Sequence, residues 1–130
     1  VQMMKIEWFN HGDNSSAVTI YENNICLNKQ ASNYFLDAYS VAIGIDSETN
    51  NIIIKNVSKE EAESLVIDKE NLNKISIKSS YGRITGKKII DQIGLALNLD
   101  FKKQNAYKYN AKWNTGTKML IVETGGKKDA

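Results

Sequence analysis

The chain has 130 residues, of which 42% are hydrophobic and 25% charged, and its formal net charge is +2. This length suits a single domain, and this composition excludes disorder along the whole chain. The longest apolar runs are three or four residues, so we expect neither a membrane-spanning helix nor a signal peptide.

Two reactive residue types occur once each, and this limits the chemistry that the chain can perform. A lone cysteine, Cys26, excludes an internal disulfide, and a lone histidine, His11, excludes a two-histidine metal site. We interpret His11 and Asp13 as a polar surface loop and Cys26 as a small buried residue within a strand. The sequence therefore predicts a cytoplasmic, non-enzymatic protein without catalytic residues, metal or cofactor.

Two hairpins and a short helix are predicted in the first half of the chain. Asn28 is a favourable N-cap, and the spacing of Ala31, Tyr34 and Phe35 places them on one face of the helix that follows. Alternating apolar residues predict four strands, which pair as 17–21 with 25–27 and 41–45 with 52–57.

An acidic connector, residues 58–73, links the two halves. Ser58 and Glu61 have the spacing of a capping box, which predicts a helical turn over 59–64. The apolar stretch 65–67 fits either the end of that turn or a short strand.

The second half repeats the order of hairpin, helix and hairpin. The helix is predicted over 86–93 with Gly94 at its end, because glycine commonly terminates helices. The strands are predicted at 75–77, at 83–85 after a turn over 79–82, at 107–113 and at 118–122. When the halves are aligned, residues 25–29 match residues 83–87.

This repeat predicts a mostly β fold in a single domain, residues 1–130, with internal repeats 17–57 and 74–124. One such unit exposes strand edges and an apolar sheet face that it cannot bury alone. We therefore expect two interleaved halves that form a pseudo-two-fold β-barrel or sandwich, either as a monomeric pseudo-dimer or as a homodimer.

The small net charge conceals a division between the halves. Residues 1–70 contain five lysines and eleven acidic residues (net −6), whereas residues 71–130 contain twelve basic and four acidic residues (net +8). Such asymmetry indicates a polyanionic partner for the basic half, attraction between the halves, or ordinary solvated surfaces. The candidate nucleic-acid-binding residues are Lys78, Arg83, Lys87, Lys88, Lys108 and Lys112.

The segment 81–95 resembles the core of the AbrB/MazE-type swapped-hairpin domain. The resemblance lies in the succession Gly82-Arg83-Ile84-Thr85, then Lys87 and a short helix, followed by a hairpin. It implies a barrel of two interleaved copies, here within one chain, and a transcription regulator or antitoxin that binds duplex DNA. The layout also resembles small proteins of phages and mobile elements of Gram-positive bacteria.

Two further features suggest other surfaces. Tyr107, Tyr109 and Trp113 alternate along one strand, as in a core face or in a stacking platform for single-stranded nucleic acid; we favour the core. The alternative to DNA binding is a protein-binding module, such as a phage inhibitor or adaptor, whose partner surface would comprise Trp8, Phe9, Glu60, Glu61 and Glu63. We expect no membrane partner.

Overall fold

The computed structural model describes residues 5, 15–64 and 67–125. The predicted roles of Trp8, Phe9, His11 and Asp13 lie outside the described residues, as does part of the ambiguous stretch 65–67. None of the helices in the described ranges is long and apolar enough to cross a membrane.

The fold is mostly β, as predicted, and the strands of the described residues form one nine-stranded antiparallel sheet curled into a nearly closed barrel. The strands are β1 (Ser16–Tyr21), β2 (Asn24–Asn28), β3 (Ser40–Asp46), β4 (Asn51–Val57), β5 (Leu72–Asn73), β6 (Ile75–Ile77), β7 (Tyr81–Thr85), β8 (Ala106–Asn114) and β9 (Met119–Val122). The helices are α1 (Lys29–Ser32), α2 (Lys59–Glu63) and α3 (Lys87–Leu97), with 3₁₀ turns at Asn33–Phe35 and Lys69–Asn71.

Neighbouring strands of the sheet follow the order β5-β3-β4-β9-β8-β1-β2-β7-β6. The two outermost strands, β5 and β6, are consecutive in the chain and are separated by Lys74 alone. Because β5 pairs with β3 and β6 pairs with β7, this one stretch joins the two edges of the sheet. The barrel is therefore nearly closed by the part of the chain that links its two halves.

The connectivity matches the order of elements predicted for each half. Exchanging β1, β2, β3 and β4 with β6, β7, β8 and β9 converts the β1–β2 and β3–β4 pairings into β6–β7 and β8–β9, and it leaves β2–β7 and β4–β9 unchanged. Among the described strands, the β1–β8 pairing has no counterpart, because β3 pairs with β5 and not with β6. A pseudo-two-fold axis and a shared sequence remain predictions.

The predicted alignment of the halves matches the first residues of α1 and α3, Lys29 and Lys87, but it is shifted by one residue in the strands before them. It places Ile25 on Arg83, but Ile25 is buried and Arg83 is exposed. The inner face of β2 carries Ile25 and Leu27, and that of β7 carries Gly82 and Ile84. Side chains alternate between the two faces of a sheet, so a shift of one residue would interchange core and surface.

The core fills the barrel with aliphatic side chains from both halves. Val18, Ile20, Leu27, Ile54 and Leu120 are all at most 1% exposed. α1 and the adjoining 3₁₀ turn contribute Ala31 and Phe35, and α3 contributes Ile90 and Ile93. The antiparallel neighbours β2 and β7 each lead into a helix, so α1 and α3 begin at opposite ends of this strand pair.

Two sequence-based boundaries are wrong by more than one residue, the start of β7 and the end of α3. Residues 81 and 82 belong to β7, because they pair with Asn28 and Leu27 of β2. Gly82 serves close packing and not a turn, since a Cβ there would lie 3.0 Å from Ile77 Cδ1 and 3.1 Å from Ser32 Cβ. Gly94 lies inside α3, which ends at Leu97, since Asn98 adopts the left-handed conformation with φ 58°.

The connector was predicted only in part. The Ser58 capping box of α2 is confirmed, with Ser58 Oγ accepting from the Glu61 amide at 3.1 Å and Glu61 Oε1 accepting from the Ser58 amide at 2.9 Å. The strand β5 was missed. Two residues, Leu72 and Asn73, give no alternation pattern, and they form a strand only because β3 offers an edge.

Candidate nucleic-acid interface

Within the described residues, the strands on one outer face of the barrel carry only positively charged side chains. The face consists of the outward side chains of five adjacent strands, β8, β1, β2, β7 and β6, and is called the basic face below. The charged residues in these strands are Arg83, Lys108 and Lys112, and none of the five strands contains an acidic residue. Two acidic residues lie at its border, Glu22 in the β1–β2 turn and Glu123 directly after β9.

Strand register places two of the predicted residues in one row across this face. Lys108 pairs with Thr19, Thr19 with Cys26, and Cys26 with Arg83. Paired residues of an antiparallel sheet project from the same face, so Lys108 and Arg83 both point outward. They are three strand spacings apart, which corresponds to about 14 Å along the sheet.

Arg83 is held by an aromatic neighbour on its own strand. Tyr81 lies two residues earlier on the same face, and the Arg83 Cζ atom lies 5.3 Å from the centre of the Tyr81 ring. A guanidinium stacked on a ring keeps its hydrogen-bond donors free at its edge. The arrangement presents Arg83 as a pre-oriented planar donor. Sequence reasoning missed Tyr81 because it assigned this residue to a turn.

Three further predicted residues, Lys78, Lys87 and Lys88, border the basic face at the two ends of β7. Lys78 is exposed in the β6–β7 turn, where its amide donates to the Tyr81 carbonyl at 2.7 Å. Lys87 and Lys88 are exposed at the start of α3, directly after β7 and Gly86. The positive charge thus extends along β7 from the turn before it to the helix after it.

Acidic side chains partly neutralise two of these lysines. Lys87 Nζ lies 3.3 Å from Asp91 Oδ1, and Lys112 Nζ lies 3.5 Å from Glu123 Oε2. Both lysines are well exposed, so the pairs are weak and open to exchange with another anion. Within the described residues, Lys78, Lys88 and Lys108 form no ion pair and keep their full charge for a partner.

The alternating aromatic residues of β8 face inward, in agreement with the favoured prediction of a core face. Tyr109 and Trp113 pack against the core, and Trp113 stacks on Tyr34 with ring centres 4.7 Å apart. Burial raises the pKa of Tyr109, and the neighbouring Tyr107 adds to this effect. The Tyr107 hydroxyl donates to the Asp100 carbonyl at 3.0 Å and accepts from the Asp100 amide at 2.9 Å, so it anchors the loop after α3.

Cys26 does not lie where its residue type suggested. It is half-buried on the basic face, between its partners Thr19 and Arg83, while its neighbours Ile25 and Leu27 point into the core. The prediction of a buried cysteine is therefore wrong, because the alternation of β2 assigns the inner positions to the two aliphatic residues.

The acidic residues of the alternative partner surface have unequal surroundings. Glu60 and Glu63 are exposed on α2. Glu61 caps the helix and lies 3.5 Å from Lys55 Nζ. Its hydrogen bond from the Ser58 amide, aided by Lys55, lowers the pKa of Glu61 against a smaller opposing effect of burial. In the part of the chain that the structure describes, no group of three or more His, Cys, Asp or Glu side chains is placed to hold a metal ion.

Comparisons with protein-family models, with curated proteins and with solved structures find no match to this chain.

Proposed function

We propose that this protein binds duplex DNA through the basic face, without catalysing a reaction, as a transcription regulator or antitoxin does. The observation that carries the proposal is the outward row containing Arg83 and Lys108 on five strands that bear no acidic residue. A convex surface of this kind attracts the phosphate backbone of a duplex by charge alone.

The residues divide into two roles. Arg83, stacked on Tyr81, offers the planar pair of donors that fits a guanine edge in the major groove. Lys78, Lys88 and Lys108 carry exposed point charges, which suit phosphate contacts. Lys87 and Lys112 contribute less, because Asp91 and Glu123 offset their charges.

The first experiment is a fluorescence-anisotropy titration of the full chain with a labelled duplex of random sequence. With about four to six phosphate contacts, we expect a log–log salt slope of roughly −4 to −5. Lys88→Ala should weaken binding to all sequences alike and reduce the slope by about one. Lys59→Ala removes the same charge from α2, outside the basic face, and should change nothing. Absence of duplex binding at low salt would refute the proposal.

Arg83 is tested by discrimination between sequences. Selection from a random duplex pool gives a preferred site, and Arg83→Ala should reduce its advantage by about five- to 150-fold. Arg83→Lys keeps the charge but loses the two-donor geometry, so it should retain affinity for random DNA while losing the preference.

Cys26 reports directly on the position of the duplex. This sole cysteine lies next to Arg83 at the centre of the basic face. We expect saturating duplex to slow its alkylation by iodoacetamide, as measured by mass spectrometry. If the alkylation rate is unchanged while DNA still binds, the binding site must lie elsewhere on the molecule.

A further inference from the structure

One stretch of β3 has an edge that no strand of the described residues covers, and it is called the open edge below. β5 pairs with β3 only at Val41 and Ala42, because the chain on the N-terminal side of β5 turns away through the Lys69–Asn71 3₁₀ turn. Residues 43–46 pair with β4 on one side and, among the described residues, with no strand on the other. Ile45 is 41% exposed, in keeping with an uncovered edge.

The parity of the hydrogen bonds identifies which residues face this edge. The Asn56 amide donates to the Lys118 carbonyl. The backbone N–H and C=O groups of the even-numbered residues of β4 therefore point toward β9, and those of the odd-numbered residues point toward β3. Gly44, the partner of Ile53, therefore bonds to β4. It follows that Ile43 and Ile45 present their N–H and C=O groups to the open side.

Two hollows flank the same stretch, one on each face of the strand. The inner hollow, about 90 Å³, lies between β3 and α3 and is lined by Ile45, Ile52, Ile89 and Ile93. The outer hollow, about 590 Å³, is a mainly apolar groove over Gly44, Ile53, Met119 and Ile121. Lys55 also lines it, but its charge is offset by Glu61, 3.5 Å away. Side chains of an added strand would alternate between these two faces, so consecutive residues could enter both hollows.

The charge around the edge indicates the kind of occupant. Asp46 ends β3, and Glu48 follows in the turn; both are exposed and form no ion pair with the described residues. A second copy of β3 is a poor occupant, because it would bring two more carboxylates and would offer Gly44, without a side chain, to the outer hollow. An apolar peptide with a basic residue satisfies both requirements.

We propose that the Ile43–Asp46 edge binds an extended peptide of a partner protein by strand addition. Two consecutive apolar side chains occupy the inner and outer hollows, and a Lys or Arg lies opposite Asp46 and Glu48. Main-chain hydrogen bonds to Ile43 and Ile45 supply affinity, and the two hollows supply specificity. This surface is separate from the basic face and does not depend on DNA binding.

The test uses phage-displayed random dodecapeptides selected on the full-length chain, followed by anisotropy titration of the enriched synthetic peptide. Ile45→Pro removes an edge N–H that bonds to no described residue, and Ile45→Val is its matched control. Gly44→Val fills the outer hollow, where an added Cβ has no atom within 4 Å. We expect Ile45→Pro and Gly44→Val each to weaken peptide binding about tenfold. Ile45→Val keeps the N–H and removes one methyl group from the inner hollow, so it should weaken binding much less than Ile45→Pro, and Arg83→Ala should leave binding unchanged.

Circular dichroism checks whether each variant folds. If Ile45→Pro does not fold, peptide binding by Gly44→Val still tests the proposal. A library that yields no binder, or a peptide that binds both variants as tightly as the parent, would overturn the proposal. So would slow hydrogen exchange at the Ile43 and Ile45 amides of the free protein, or a dimer abolished by Ile45→Pro. These outcomes would mean that the chain itself or a second copy occupies the edge.

Discussion

Gly82 and Gly44 have different structural roles, which are set by the space around each residue. Both lie within strands, but a Cβ at Gly82 would press on Ile77 and Ser32, whereas one at Gly44 would have no atom within 4 Å. Gly82 thus permits α1 to approach β7 closely, and Gly44 leaves the outer hollow open. The same residue type serves packing at one site and access at the other.

We expect Gly82→Ala to lower the free energy of unfolding by about 1–3 kcal/mol, because the extra methyl overpacks a tight contact. Gly44→Ala is the matched control and should be neutral or stabilising by a few tenths of a kcal/mol, since alanine suits a strand better than glycine. Urea denaturation of the two variants measures the difference. Equal effects at the two positions would contradict this account of the packing.

Alternation within strands was the most informative residue-level signal. It correctly placed Lys108 and Lys112 outside and Tyr109 and Trp113 inside. The same rule places Cys26 outside, between two inward aliphatic residues, but residue type favoured burial and misled the prediction. The Arg83–Tyr81 stack required β7 to start at Tyr81, which the sequence pattern did not reveal.

At the scale of elements, local hydrogen bonds were predictable and tertiary contacts were not. The capping box of α2 depends on two side chains three residues apart, so the sequence contains all of it. The end of α3 at Asn98 and the strand β5 depend on what the neighbouring chain allows. Together with the start of β7, these are the features that the sequence did not disclose.

The cap of α2 predicts a pH dependence of stability. The pKa of Glu61 is below its ordinary value of 4.5 in the folded protein, chiefly because the Ser58 amide donates to its carboxylate. A lowered folded-state pKa stabilises the protein above pH 4.5, and this contribution is lost as the pH falls through the folded value. Glu61→Gln should therefore destabilise the protein at neutral pH, and the difference should shrink on acidification.

Chemical denaturation at a series of pH values measures this effect, with Glu63→Gln as the control from the exposed side of the same helix. Ser58→Ala should cost about 1 kcal/mol at neutral pH through loss of the cap. A Glu61→Gln effect that is constant from neutral to acidic pH would show that ionisation of this carboxyl does not stabilise α2.

On the scale of the whole molecule, the halves depend on each other for closure. The pairings β1–β8, β2–β7 and β4–β9 all join a strand from residues 1–70 to one from residues 71–130. Either part alone would expose sheet edges and an apolar face, which a small β structure does not tolerate in water. Their net charges of −6 and +8 also favour association.

We therefore expect fragments 1–70 and 71–130, divided in the exposed turn before β5, to be unfolded separately and to recover the barrel when mixed. Far-ultraviolet circular dichroism and size-exclusion chromatography distinguish the two states. Because the fragments attract each other by charge, added salt should slow their association. Cooperative melting of either fragment alone would show that its strands bury their apolar face without the other, and the expectation of interleaved halves would then be wrong.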